Sequence, residues 1–399
     1  MKLRTLSAKT SLRGKRVLLR VDWNIPLYES AAAEDHLKLQ RNAATIENLA
    51  SRGAIVIVLT HLGRPKAREA KFSTERLVGI FRKIARFPVR FIGDDIESKS
   101  GMEHVLDVIN SSAPGSVLLL ENVRFYRGEE TNSPTFVARL ASLGDIFVND
   151  AFASCHRSHA SVVGVAKSVP SYAGPALVAE VEGMERIFNK PKRPFISIIG
   201  GVKLSTKIGV IKTLLSVADR VYIGGAMANP FFKARRLEIG KSIVEKESVV
   251  IAKALLKNPK LKIPTDVLVA RALKPNQKVR CVPANQVKNA DVIGDIGTET
   301  MMDWASEIKT AKTILWNGPV GVAEIPSFSH GSLVLTRAIA ARSKSSAYGV
   351  VGGGDTLPIV ARSGMAEWIG HLSTGGGAML EFIANKGNLP GLLPLKLKK

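Results

Sequence analysis

Four clusters in the first half of the chain place cations beside amide or carboxylate groups. They are RVDWN with Asp22 and Asn24, HLGRP with His61 and Arg64, ENVRF with Arg124, and NDAFASCHRSHAS with His156, Arg157 and His159. The planar fork of arginine suits bidentate capture of carboxylate or phosphate. A single arginine at such a place reads as a surface group or salt-bridge partner. Three of them, accompanied by His and Asn, point to a pocket for a small anion. Cys155, His156 and His159 invite a zinc reading, which the lack of a CxxC pair or a fourth ligand disfavours.

The second half carries a different chemistry, built on glycine. IIGGVKLSTKIGVI turns on Gly200 and Gly201 and opens a helix bearing Lys203 and Lys207. Free N–H groups at a helix N-terminus, joined by cations, form a phosphate cradle. The spacing is not that of a Walker A loop, and alone the segment reads equally well as a tight turn with surface lysines. The design recurs in VVGGGDTLPIV with Gly353, Gly354, Asp355 and Thr356, and in STGGGAMLEFI with Gly375 to Gly377. Together these favour nucleotide phosphates. Asp355 is placed to meet a Mg²⁺ ion carried in by the nucleotide, or to cap the next helix. In WNGPVGVAEIPSF, Glu324 could accept hydrogen bonds from ribose hydroxyls, although a solvated loop acid is the simpler local reading. Neither HExxH, GxSxG nor a kinase HRD/DFG set occurs, which removes support from protease, α/β-hydrolase and protein-kinase readings.

These clusters need elements that end where they begin. Nine short apolar runs do so: LLRVDWN, VLTHLGR, LLLENVR, IFVNDAF, ISIIGGVK, VYIGGAM, ILWNGPVG, VVGGGDT and HLSTGGG. Strands buried on both faces are continuously apolar, and in open α/β sheets ligands bind beyond the strands' carboxyl ends. Amphipathic windows such as STERLVGIFRKIAR, KIGVIKTLLSVADR and SLVLTRAIAARS alternate with the runs as helices. The pattern predicts an α/β protein of two Rossmann-like domains with parallel sheets, joined by a hinge helix. The expected bounds are 1–170 for an anion-binding domain, 171–190 for the connecting helix and 191–387 for a nucleotide-binding domain. Residues 388–399 read as a Pro-punctuated tail packing back on the first domain.

With 399 residues, 45% of them hydrophobic, the chain has ample core for two domains. No apolar stretch reaches membrane-spanning length and the first residues carry no apolar h-region, so a soluble, cytoplasmic protein is expected. Two cysteines define no disulfide framework. The formal net charge of +23 favours anionic partners, but it is spread along the chain with only 6% aromatic residues, unlike a stacking nucleic-acid surface.

Taken in order, RVDWN, THLGRP, LLLENVRFYRGEE, VNDAF, HRSHAS, YAGPAL, KRPFISIIGGVKLSTKIGVI, IGGAMAN, DIGTET, WNGPVGVAE, GGGDT, STGGGAMLEF and LPG closely resemble the phosphoglycerate kinase family over essentially the whole chain. The resemblance implies a monomeric enzyme of glycolysis that transfers a phosphoryl group reversibly, with Mg²⁺, from 1,3-bisphosphoglycerate to ADP, giving 3-phosphoglycerate and ATP. No obligate nucleic acid and no membrane is implied. Asp22, Asn24, Lys38, His61, Arg64, Arg124 and Arg157 would hold the glycerate ligand. Gly200, Gly201, Lys203, Lys207, Gly225, Asn317, Pro319, Glu324, Gly353, Gly354, Asp355 and Thr356 would hold the nucleotide, with Asp355 at the metal. Lys38, Lys203, Gly354 and Gly377 would act on the transferring group, and closure about the helix would exclude water.

The chain departs from the family where an essential arginine is expected: alignment back from Thr45 and Ile46 places Lys38 there, and the next family arginine becomes Gln40. Lysine keeps the charge and loses the fork, which predicts slower turnover. A shifted register would give the role to Arg41. Val202, Thr206, Ala226 and Ala323 are smaller departures bearing on nucleotide affinity. The rival readings are a catalytically weakened nucleotide-binding relative and, from the charge alone, a basic nucleic-acid-binding protein.

Overall fold

The structure, a computed structural model, describes residues 1–25, 33–84 and 87–397. Residues 29–32 of the ESAAAEDH segment lie outside these, as do Lys398 and Lys399 of the tail. Two compact units are present: Met1–Glu182 together with Gly387–Lys399, and Gly183–Lys386. The division falls inside helix Pro175–Phe188.

The first unit is built on strands β1 (Arg16–Arg20), β2 (Ile55–Leu59), β3 (Arg90–Ile92), β4 (Val117–Leu120), β5 (Ile146–Asn149) and β6 (Ser171–Ala173). They form one parallel sheet in the order β3-β4-β2-β1-β5-β6. β2 and β4 are buried at every position, as strands covered by helices on both faces must be. Each buried Ile, Leu or Val side chain contributes about 1.5–3 kcal/mol. Helix Ala33–Ser51 follows β1, and its Leu39, Ile46 and Leu49 join Trp23, Val56 and Phe81 in one core.

The second unit has strands β7 (Phe195–Ile199), β8 (Arg220–Ile223), β9 (Leu261–Lys262), β10 (Asp266–Ala270), β11 (Arg280–Pro283), β12 (Val292–Ile296), β13 (Thr313–Asn317), β14 (Tyr348–Gly352) and β15 (His371–Ser373). Its main sheet is also parallel, in the order β15-β14-β13-β7-β8-β9. All nine apolar runs are strands of these two sheets, as expected. β10 pairs antiparallel with β11 and β12 in a separate three-stranded sheet that the apolar-run criterion did not find. β11 alternates half-buried and exposed positions, so it shows no continuous apolar run. The expected extended tail contains a short 3₁₀ turn, Leu393–Leu395, and Lys396 bridges to Leu3.

Strand order reverses direction between β1 and β5 in the first sheet, and between β7 and β13 in the second. Crevices at such switch points, beyond the strands' carboxyl ends, are where doubly wound sheets bind ligands.

Candidate functional site

At the first switch point, the residues following β1, β2, β4 and β5 converge. Asn24 Oδ1 accepts from the Gly63 N–H at 2.8 Å, and Arg124 Nη1 donates to the Gly63 carbonyl at 2.6 Å. The HLGRP turn is thereby held from two strands. Gly63 has φ +61°, and a Cβ there would lie 2.4 Å from the Phe72 ring, so the turn requires glycine. Arg64, next on this turn, is exposed. Lys38 from the following helix brings Nζ to 3.9 Å from Asp22 Oδ2, both side chains largely buried. Arg41, the alternative candidate, instead pairs with Glu180 at 3.0 Å.

The electrostatics are those of an anion pocket. Burial and the neighbouring Arg157 and Arg20 push the Arg124 guanidinium down to about 10. Its Nε is buried with no hydrogen-bond partner, the Glu130 carboxylate standing 3.6 Å away. Burial, then Arg20, Arg124, Arg157 and His159, hold His61 well below the usual imidazole range. Cations that raise each other's free energy are relieved by an arriving anion. Cys155 is buried and its thiol is pushed up to about 12 by that burial, so it is a protonated core group. Arg20, the last residue of β1, was hidden inside the apolar run LLRVDWN. It is 1% exposed, and its Nη2 lies 2.9 Å from His61 Nδ1, which makes it part of the cluster.

At the second switch point the backbone does most of the work. Gly200 donates to the Asn317 carbonyl, Gly201 to Pro319 and Gly225 to Val320, each at 2.9 Å. These three bonds knit the loops after β7, β8 and β13. A Cβ on Gly200 would sit 2.1 Å from the Pro319 oxygen, and one on Gly225, at φ +69°, 2.6 Å from the Gly201 oxygen. Only glycine permits this approach. Gly318 N–H donates to Thr356 Oγ1 at 2.8 Å, and Asn317 Nδ2 donates to the Gly352 carbonyl at 2.9 Å, tying the GGGDT loop to WNGP.

Lys207 donates to the Gly200 carbonyl at 2.7 Å and to Asn317 Oδ1 at 2.9 Å. Burial pushes its ammonium down to about 8, with the Asp355 carboxylate pulling the other way. Lys203, Gly354 and Asp355 are exposed, and the N-cap of helix Leu357–Arg362 is Thr356 rather than Asp355, the capping role that sequence had offered for it. Gly377 is the first residue of helix Gly377–Ala384. A cleft of about 210 Å³ opens beside these loops, with Gly225, Phe232, Ile243, Pro319, Glu324 and Asp355 among its walls. Asn229 and Lys241 also line it; Asn229 closes the IGGAMAN motif without having been given a role, and Lys241 belongs to no strand-exit glycine cluster. Asp295 lies there too, accepting from Gly331 N–H at 2.8 Å, and burial pushes its carboxyl up to about 7. A larger open groove, lined by Glu75, Arg82, Arg90 and Pro114, borders the amino ends of β3 and β4. It is at the wrong end of the sheet for the switch-point chemistry.

Among the described residues no group of three or more His, Cys, Asp or Glu could hold a metal ion. No helix there is long and apolar enough to cross a membrane.

Comparison with known proteins agrees with this geometry. The family model for phosphoglycerate kinase matches residues 8–386. The phosphoglycerate kinase of Leptospira biflexa serovar Patoc is 42% identical over 407 residues, covering 100% of both chains. That of Thermus thermophilus is 42% identical over 391 residues, covering 95% of this chain and 96% of its own. The solved phosphoglycerate kinase of Coxiella burnetii superposes with a TM-score of 0.82 at 36% identity, covering 99% of each chain. Motif order, the two six-stranded parallel sheets and these matches all agree: the chain belongs to the phosphoglycerate kinase family, phosphotransferases with a carboxyl group as acceptor.

Proposed function

We propose that the pocket after β1, β2, β4 and β5 binds 3-phosphoglycerate or 1,3-bisphosphoglycerate, and that the glycine loops after β7, β8, β13 and β14 bind ADP or ATP. The observation that carries the first assignment is the cluster of buried Arg20 and Arg124 and half-buried Arg157 around His61, with an Arg124 N–H unused. Asp22, Asn24, His61, Arg64, Arg124 and Arg157 hold the glycerate, and Lys38 reaches the transferring group. Lys207, Asn317, Glu324, Asp355 and Thr356 hold the nucleotide. The enzyme is a cytoplasmic monomer in this reading.

In the forward direction an ADP β-phosphate oxygen attacks the phosphorus of the acyl phosphate and the bond to the carboxyl oxygen breaks. Attacking oxygen and leaving carboxylate are both ionised at neutral pH, so no general base is needed. Catalysis is positioning plus stabilisation of charge on the moving group. Lys203 and the amides of Gly354 and Gly375 to Gly377 supply that stabilisation, each preorganised donor being worth about 3–4 kcal/mol.

The exposed carboxylate of Asp355, beside the glycine loop, fits a Mg²⁺ ion that would take its other ligands from phosphate oxygens and water. The ion neutralises phosphate charge when bound; orientation and charge compensation by Lys207 and Lys203 are the chain's own contribution.

The test is steady-state transfer from Mg-ATP to 3-phosphoglycerate, with Lys38→Ala alongside. Turnover in the parent, lost in the variant, supports the reading. ADP binding without turnover would make the chain a weakened relative, and nucleic-acid binding that survives saturating Mg-ATP and 3-phosphoglycerate would revive the basic-surface reading.

A further inference from the structure

Behind the anion pocket runs a chain of buried groups. Arg20 donates from Nε to Ser161 Oγ at 2.9 Å, from Nη1 to the Val21 carbonyl, and lies with Nη2 2.9 Å from His61 Nδ1. Ser161 Oγ contacts Glu129 Oε1 at 2.7 Å, and the Ser161 N–H donates to Glu129 Oε2 at 2.9 Å. Glu129 and Ser161 are fully buried, and Ser161 sits in a π-helical turn, Ala160–Gly164. Such turns recur at functional sites.

The donor inventory fixes every proton in this chain. A guanidinium has only donors, so Ser161 Oγ accepts from Arg20 and its own hydrogen goes to the Glu129 carboxylate. By the same rule His61 Nδ1 accepts from Arg20. A neutral imidazole with a bare Nδ1 carries its hydrogen on Nε2.

We propose that Glu129 and Ser161 are positioning residues which, through Arg20, lock His61 as the neutral Nε2–H tautomer, so that it presents a hydrogen-bond donor to an oxygen of the anionic substrate. This rests on the reading of the pocket as the 3-phosphoglycerate site. Protonating His61 would set an Nδ1–H against the Arg20 N–H. The charged and titratable groups acting on the ring are Arg20 at the end of β1, Arg124 after β4, and Arg157 and His159 after β5, while the Glu129 and Asp22 carboxylates act on Arg20. Burial comes first and the cations among these come next in holding the ring neutral. Substrate capture then needs no proton on His61 and stays constant through the pH range in which a free imidazole titrates.

The experiment is ¹⁵N NMR of the full chain with labelled histidine, recorded from pH 5.5 to 8.5 with and without 3-phosphoglycerate. The expected spectrum has one pyrrole-like nitrogen at Nε2 and one pyridine-like nitrogen at Nδ1 of His61, unchanged across the range. Ser161→Ala should let the two tautomers mix and raise KM for 3-phosphoglycerate roughly tenfold with kcat nearly constant, the effect of loosening one charged hydrogen bond. His61→Gln, whose amide N–H stands near the Nε2 position, should retain more affinity than His61→Asn. A protonated Nδ1, or titration of His61 between pH 6 and 8 in protein that still turns over, overturns the proposal. If Ser161→Ala does not fold, the parent spectrum alone decides the tautomer. The locked tautomer in a folded protein that neither binds nor phosphorylates 3-phosphoglycerate leaves the tautomer standing and overturns the substrate assignment.

Discussion

Lys207 offers the sharpest test of the nucleotide cradle. Its ammonium is pushed from 10.5 to about 8, chiefly by burial. At about 1.36 kcal/mol for each tenfold change in proton affinity, holding the charged form costs the folded protein ~3 kcal/mol. Bonds to the Gly200 carbonyl and Asn317 Oδ1 return about 1 kcal/mol each. Replacing Lys207 by Met should therefore stabilise the ligand-free protein by about 1 kcal/mol at pH 7 while weakening ADP binding. The sign of the pH dependence is fixed. Below about pH 8 native and unfolded chains both carry the proton, and the full cost is present. Between 8 and 10.5 the native state sheds it first, so parental stability rises with pH relative to Lys207→Met, by ~3 kcal/mol in total. Urea unfolding of both proteins at pH 7, 8, 9 and 10 reads this difference. Phosphate groups arriving beside Lys207 restore its affinity for a proton. ADP binding at pH 8.5 should then take up ~0.7 proton, measured by calorimetry in two buffers of different ionisation enthalpy, and the Met variant should take up none. A stability difference that stays flat with pH, or ADP binding without proton uptake, refutes the reasoning.

Lys38→Arg should raise kcat several-fold by restoring a bidentate contact, whereas Arg41→Ala, which removes a partner of Glu180, should chiefly lower stability; the opposite outcome in paired steady-state assays would give Arg41 the role. Gly225→Ala should cost about 2 kcal/mol or more in urea unfolding and weaken ADP binding at least tenfold, because φ +69° and a 2.6 Å approach to the Gly201 oxygen leave no place for a Cβ. Asp145 accepts from Arg16 N at 2.9 Å and Nη2 at 2.7 Å, and these bonds hold its carboxyl below the usual range. Its contribution is present above the unfolded value and lost on acidification, so Asp145→Asn should flatten stability against pH below about 4 in acid-unfolding curves.

The parallel strands were legible because burial on both faces demands an unbroken apolar run, and the candidate site residues stood out because those runs end in chemically unlike clusters. What sequence missed follows the same logic. β10, β11 and β12 form a small antiparallel sheet, and the half-exposed β11 gives no run to find. Arg20 is a cation within an apolar strand, so patterning filed it with its neighbours; Glu129 and Ser161 lie 32 residues apart in sequence and meet only in the fold. Lys207, expected as a phosphate ligand, is already anchored on Gly200 and Asn317, a restraint no local spacing announces.

The first unit is discontinuous, and that has a consequence for how it is made. Arg4 N–H donates to the Leu395 carbonyl, Leu397 N–H to Lys2, and Gly391 N–H to Cys155, two residues before Arg157. Leu392 and Leu395 are wholly buried. A ribosome delivers the whole of Gly183–Lys386 before it delivers these struts. The second unit is therefore complete in sequence before the first receives the stretch from Gly387 onward, which braces the loop leading to Arg157. A nascent chain halted at residue 386 would hold every residue of the second unit and none of the struts of the first.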